Sequence, residues 1–442
     1  MTTPWSAPTM PALRPWSMVV GLGLVSLTID MVADGAASVS GALLQQLGAT
    51  AVLVGLVSGG AEALALLLRL VTGPWADRTG AYWAFTIVGY ALTAISVPLL
   101  AVTPFLGAAG LAVASALLLV ERTGKAVRAP AKTVLLADAA GAVGLGKGFG
   151  VHKLLDQIGA FAGPLLVAAI AALTGELWPA FLWLIVPGVV AMVILFWLRA
   201  KVPDPSLYAR LPKPTAEEER NTASADGVQP GAPDVEAAVE ASRTDSAEPI
   251  SRGAFLTFML FSLFAGLTTF GLLSYGVIAF HLADAALVPT SAVPLVYALG
   301  MAVAAVAAVA TGWAYDRWGP AVLFVVPVLT VFVPGLVLGP TLAAVIGGVV
   351  VWGAASGVQD STVKALVADL VPGRRRGAAY GWFAVFQGVG ALAGAVVAGA
   401  LYSSVPVLIG IVVGLQIVAV IVLVVVLRRR AARSAEASPT RR

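Results

Sequence analysis

Cysteine is absent from the 442 residues, histidine occurs twice, and Asp, Glu, Lys and Arg together make up only 11% of the chain. Without cysteine there is no disulfide and no thiolate metal site. Two histidines leave little for an imidazole site either, so no metal and no cofactor are expected. About a quarter of the residues of an average soluble domain are charged, so a soluble fold is a poor match. Hydrophobic residues fill the gap, at 59%, and they come in runs long enough to cross a bilayer. The formal charge of +4 is no invitation to nucleic acid, because the positions of the positive residues decide what it means. No phosphate-cradling loop with its Lys and Ser/Thr is present, which argues against a nucleotide-driven pump. No catalytic constellation stands out, and an enzyme is the least expected class.

One eight-residue phrase occurs twice. Gly73-Pro74-Trp75-Ala76-Asp77-Arg78-Thr79-Gly80 returns as Gly312-Trp313-Ala314-Tyr315-Asp316-Arg317-Trp318-Gly319. Each copy stands between two apolar runs, so each is expected to be a short loop between membrane helices, reversed at its glycines.

At about 20 apolar residues per crossing, spans are expected near 16–43, 50–71, 82–102, 107–128, 150–172 and 179–199, then 254–281, 292–313, 321–338, 342–365, 379–402 and 405–427. The fold class is therefore an all-α membrane protein of 12 transmembrane helices in two pseudo-symmetric six-helix bundles, residues 1–200 and 253–428. The run after Arg14 is too long for a signal segment and reads as a retained first helix. Between the bundles, 201–252 is polar, Pro-rich linker text and is expected to be disordered and cytoplasmic. Residues 429–442 read as a polar cytoplasmic tail. With the N-terminus inside, none of the outer loops holds a Lys or Arg, and all 27 fall in inner loops, termini or the inner parts of helices, which places both termini in the cytoplasm. Residues 130–172 also align without a gap to 361–403, with identities such as Gly159/Gly390 and Gly163/Gly394. Such duplication is a structural signature of secondary transporters.

On these residues the chain resembles a major facilitator superfamily transporter over essentially its whole length. The repeated phrase is similar to that superfamily's signature between helices two and three, Gly-x-x-x-Asp-Arg-x-Gly, and its echo between eight and nine. The fifth helix resembles a signature of drug–proton antiporters: Gly150, eight residues, Gly159, three residues, then Gly163-Pro164. It departs where Val167 and Ala168 replace a closing Gly-Gly. The fourth-helix pattern, Arg followed four residues later by Gly, is not met, because Arg122 is followed by Gly124. The resemblance implies alternating access, with the phrase acting as an inner gate. Asp77 would dock on a helix N-terminus of the other half, Arg78 would meet an acid or phospholipid, and Asp316 and Arg317 would echo them.

Ionisable groups inside a bilayer cost about 2.5–3.5 kcal/mol each on insertion scales, so they are the default functional candidates. Asp30 and Asp34 are four apart and share a face. Two carboxylates this close in a low dielectric do not both ionise easily, and a carboxylate that takes and loses a proton is what proton coupling needs. Glu62, on a face with Gly55, Ser58 and Arg69, is the second choice, and Arg69 reads as an inner-surface anchor. Glu121, Lys125, Arg128 and Lys132 form a stripe at the end of the fourth helix. Most of it reads as a solvated face, with Glu121 and Arg122 the deepest members and Arg128 a gate partner for Asp77. His152 and Asp156 lie on one line with Gly159 and Gly163, can bond to each other, and suit either a proton relay or an inner lock, while Lys153 points elsewhere. In the second half Gln359, Asp360, Gln387 and Gln416 are deep, and Trp352, Trp382, Phe383 and Phe386 are read mainly as packing or lipid-facing. This asymmetry predicts ion coupling in the first half and substrate contacts in the second. The expected partners are a small apolar or cationic substrate, protons and the lipid of the cell membrane, with no nucleic acid and a single chain as the working unit. The expected reaction is export by proton antiport. The rivals are a metabolite importer by symport, or a non-transporting receptor or scaffold.

Overall fold

The computed structural model of the chain describes residues 13–204, 207–208, 252–360 and 376–436. Apolar runs become helices because a backbone inside hydrocarbon must satisfy its own hydrogen bonds. We number the spans α1 Pro15–Ala37, α2 Ala51–Thr79, α3 Tyr82–Leu99, α4 Gly110–Gly141, α5 Leu145–Thr174 and α6, which is Trp178–Trp183 with Ile185–Lys201. The second half holds α7, which is Arg252–Gly271 with Tyr275–Asp284, then α8 Val293–Trp318, α9 Val325–Val337, α10 Leu342–Val358, α11 Arg376–Ala400 and α12 Val405–Glu436. Among the described residues, 11 helices are long and apolar enough to cross a membrane, and Leu342–Val358 is a shorter apolar one. Val186, Val189, Val193 and Phe196 on α6, and Val306, Val309 and Trp313 on α8, are exposed at helical spacing. An outward apolar stripe of that kind faces lipid.

The repeated phrase is not a loop. Gly73 to Thr79 are the last two turns of α2, and Gly312 to Trp318 are the end of α8. Only Gly80 and Gly319 turn the chain, at φ +62° and +64°, where L side chains are disfavoured. Polar residues at headgroup depth do not stop a helix whose hydrogen bonds are internal, so the apolar ruler ended these segments too early. For the same reason α4 continues through Pro130 to Gly141. Its 32 residues span about 48 Å, which moves Glu121 to Lys132 from its end to its middle. The tail is likewise helical up to Glu436. The interhelical segment 201–252 lies largely outside the described residues, but its start is docked: the buried Tyr208 hydroxyl donates to the Leu13 carbonyl at 2.9 Å. Burial pushes that phenol up to about 12.

The two halves repeat one packing device. In the first, a Cβ at Gly159 would strike the Leu27 carbonyl of α1 and one at Gly163 the Met31 carbonyl. In the second, Gly390 meets Gly266 and Gly394 meets Phe270 of α7 in the same way. Glycine at these positions lets backbones touch. The halves meet at the end of the molecule away from the chain termini. Following α1, the short helix Ser40–Gln46 packs on the second segment of α7, where Gly41 lies on the Gly276 carbonyl. Beside it Gly55 abuts the Ala395 carbonyl and Gly399 abuts Ala51. This end is sealed.

Alanine at Gly159 or Gly163 overpacks α1 against α5, which costs about 1–3 kcal/mol, and should lower the melting temperature of the detergent-solubilised protein. Gly150 has nothing within 4 Å of an added Cβ, so Gly150→Ala should leave that temperature unchanged or raise it, since alanine is the better helix former by about 1 kcal/mol.

Candidate functional site

Two polar sites occupy the middle of the molecule. Helix α1 serves both, through the two carboxylates that stand one turn apart.

The first site lies inside the first half. A Cβ at Gly89 of α3 would come within 2.6 Å of the Arg128 Cβ, and one at Gly124 of α4 within 2.7 Å of the Gly89 carbonyl. This close approach lays the Arg128 guanidinium 5.0 Å from the centroid of the Tyr90 ring. There its Nη1 donates to Thr93 Oγ1 at 2.8 Å and its Nη2 stands 3.7 Å from Asp30 Oδ1. Arg128 is only 3% exposed, so these contacts replace its hydration. Asp156 of α5 stands close to Asp30. Asp156 also takes Lys153 Nζ at 2.8 Å and has Lys132 Nζ at 3.9 Å. Lys132 reaches Ser26 Oγ at 3.1 Å, and Ser26 contacts His152 Nε2 at 3.1 Å and Tyr90 Oη at 3.2 Å.

Four expectations are corrected here. Arg128 is not a partner of Asp77, because the longer α4 places it deep in the bundle. Asp77 accepts instead from Tyr82, at 3.2 Å within its own half. Lys153 does not point elsewhere but holds Asp156, and His152 turns to Ser26. The stripe on α4 is an interior ladder rather than a solvated face.

The second site is a cavity of about 330 Å³ between the halves. Asp34, Glu62, Glu121, Arg122 and Lys125 line it from α1, α2 and α4, and Asp360, Tyr275, Tyr297, Met301 and Trp352 line it from the second half. Tyr297 Oη donates to Asp34 Oδ1 at 3.0 Å, bonding α8 to α1 across the interface. Tyr275 stands edge-on to Tyr297 at 4.6 Å and lies 5.7 Å from Trp352. The Arg122 Nε pairs with Glu121 Oε2 at 3.3 Å, and the buried Arg69 Nε has no hydrogen-bond partner among the described residues.

The break in α7 borders this cavity. Leu273 is left-handed at φ +55°, its carbonyl accepts from Trp352 Nε1 at 3.3 Å, and the buried Ser274 hydroxyl has no hydrogen-bond partner among the described residues. Sequence reasoning missed this element. The signal was there, in Gly271, Ser274 and Gly276 interrupting an apolar run.

Most of the other candidates lie apart from both sites. Gln359 and Gln416 bond to α7, at Thr269 and Ala265 and at the Leu267 carbonyl, so they tie helices together. Phe383 is buried on Phe261, and Trp382 is exposed, while Trp352 lines the cavity rather than serving only as packing. Arg317 lies over Trp313 at 6.0 Å, and the Asp316 side chain lies outside the described ones.

The family model described as Major Facilitator Superfamily matches residues 21–352 and 322–442. An uncharacterized protein of Mycobacterium tuberculosis and one of Mycobacterium bovis are each 41% identical over 413 residues, covering 93% of this chain and 93% of theirs. Among solved structures, the nucleoside transporter NupG superposes with a TM-score of 0.62 at 13% identity, over 93% of this chain and 98% of that one. A bacterial homologue of the human drug peptide transporters PepT1 and PepT2 gives 0.65 at 15%, over 96% and 100%. A bacterial homolog of the human lysosomal transporter Spinster, in an inward-facing and unoccupied conformation, gives 0.62 at 15%, over 94% and 95%.

Arg128→Met removes one partner of a buried ion pair, which costs about 3–5 kcal/mol. Its melting temperature should fall well below that of the unaltered protein. The double variant Arg128→Met with Asp30→Asn should regain part of the loss, since no unmatched carboxylate remains beside the methionine.

Proposed function

The chain belongs to the major facilitator superfamily and is a multi-pass transporter of small molecules. From that premise we propose that it is a proton-coupled exporter of the cell membrane, working by antiport on a small apolar or cationic substrate. Residues 1–200 and 253–428 are the two bundles that rock about the cavity, 201–252 is a cytoplasmic tether, and 429–442 ends the chain in the cytoplasm. The working unit is a single chain. With the termini inside, the sealed end faces outward and the cavity is served from the cytoplasm.

One observation carries the reading. Asp30 stands beside Arg128 and Asp156 in the interior of the first half, and Asp34, one turn on, faces the cavity and the second half. Their charges interact through a short stretch of low dielectric. A proton on the first carboxyl and a cation at the second therefore compete for the same negative charge, which is the requirement for antiport. The aromatic wall of Tyr275, Tyr297 and Trp352 suits an apolar or cationic body. The glycine pattern of α5, which seats that helix on α1 beside Asp30, supports the export direction.

The rival reading is symport of an anionic metabolite, for which Arg122 would be the receptor. That guanidinium is already neutralised by Glu121 at 3.3 Å, which weighs for the first reading. Asp77, Arg78 and Arg317, with Asp316, remain the inner-gate residues of this proposal, closing when the bundles rock the other way.

The test is transport in proteoliposomes with a pH-sensitive dye inside, screening lipophilic cations. Asp30→Asn should abolish substrate-driven proton movement while retaining substrate exchange. Asp34→Asn should raise the KM for a cation about tenfold, equivalent to about 1.4 kcal/mol of lost attraction. Proton movement that persists unchanged in Asp30→Asn would overturn the coupling assignment.

A further inference from the structure

A third polar cluster sits at the sealed end, away from the cavity and from Asp30. His281 is on the last turn of α7 and 7% exposed. Its Nε2 lies 3.0 Å from the Gly339 carbonyl, in the turn before α10, and its Nδ1 lies 2.8 Å from Tyr402 Oη, in the turn between α11 and α12. Tyr402 Oη in turn lies 3.0 Å from Oδ2 of the exposed Asp284. Burial first, and then the contact with Asp284, hold the Tyr402 hydroxyl above the usual phenol range, so it keeps its proton.

Counting protons decides the state of this cluster. A carbonyl only accepts, so the Gly339 contact requires a proton on Nε2. The tyrosine has one proton to donate. If it goes to Asp284, then Nδ1 must also carry a proton and the imidazole is a cation. If it goes to Nδ1, then Asp284 must be the protonated acid. Either way the three contacts together require one proton more than a neutral imidazole and a carboxylate possess. Without it, one contact sets two lone pairs against each other and must open.

We propose that His281, Tyr402 and Asp284 form a proton-binding site that clasps the sealed end. The bound proton ties the end of α7 to the turn before α10 and the turn after α11. The same stretch of α7 makes the seal: Phe280 lies edge-on to Tyr402 at 5.3 Å and is buried in the core of the first half with Leu43 and Leu44. A proton held here therefore favours the sealed conformation, and its loss loosens it.

The elements packed on this segment of α7 are the short helix Ser40–Gln46, α2, α8 and α11. The short helix has no titratable group. On α2, Glu62, Arg69, Asp77 and Arg78 lie toward the cavity or the opposite end, and on α8 Tyr297 faces Asp34 while Tyr315 to Arg317 lie at the far end. The turns at the sealed end hold no Lys or Arg, and their other acid is Glu176, beyond α5. Asp284 thus has His281 as the cation within reach of its tyrosine bridge. Its exposed carboxyl gives protons from that side of the membrane a route to the imidazole.

The test uses the whole chain, whose lack of cysteine makes it its own labelling background. Spin labels at Gln46→Cys and Leu342→Cys, on opposite halves of the sealed end, report its opening by dipolar distance measurement. As the buffer is taken from mildly acid to mildly alkaline, a longer-distance population should grow severalfold. In Asp284→Asn the side-chain amide can donate to Tyr402, which frees the hydroxyl for His281 and satisfies all three contacts without the extra proton. That variant should stay sealed across the range, and Tyr402→Phe should show the longer distance throughout. A distribution that does not change with pH overturns the proposal. So does an Asp284→Asn variant that responds like the unaltered chain, because the titrating group would then lie elsewhere.

Discussion

Everything in the first half is arranged around the cost of one buried guanidinium. Arg128 lies in the bilayer's low dielectric, where an unmatched charge would cost several kcal/mol. Its compensation draws on three helices: the Asp30 carboxylate from α1, and the Thr93 hydroxyl and Tyr90 ring from α3 around Arg128 on α4. Glycine at 89 and 124 sets the α3–α4 distance that makes this possible, and glycine at 159 and 163 brings α5, with Asp156, to the other side of Asp30. Backbone contacts thus fix the spacing of charges. Moving any of these helices by an ångström would change an electrostatic energy, not only a packing one.

The second half uses the same scaffold for different chemistry. Its glycines at 390 and 394 seat α11 on α7 as 159 and 163 seat α5 on α1. Where the first half places ions, the second places amides and rings. Gln359 and Gln416 bind backbone carbonyls and hydroxyls of α7, and Phe261, Phe264 and Phe383 stack in its interior. Neutral groups of this kind carry a small desolvation cost and hold no proton. Duplicated geometry thus carries unequal chemistry in the two interiors, ion pairs around α1 and amides and rings around α7.

The apolar runs of the sequence announced the helices and their order, because hydrocarbon length and backbone satisfaction leave little freedom. The paired carboxylates Asp30 and Asp34 were visible for the same reason, as costly groups in apolar text. Helix ends were less legible. Asp77, Arg78 and the charges after Glu121 read as surface, yet a helix continues through polar residues when its own hydrogen bonds are intact. Partners were least legible of all. Which base Arg128 meets, that Lys153 holds Asp156, and that Tyr297 reaches Asp34 from 263 residues away depend on the crossing of helices, which no local pattern encodes. The break in α7 lacked proline and went unnoticed.

Leu273 gives that break a mechanical meaning. A leucine in the left-handed region costs about 1–2 kcal/mol relative to the right-handed helix, and here it is clamped by an indole on its carbonyl. Straightening α7 through this point would return that energy. Trp352, which holds the bend by that bond, stands on the cavity wall. A cargo that displaces the indole would release it, shifting the balance between the bent and continuous forms of α7 by roughly five- to thirtyfold without any charge having moved.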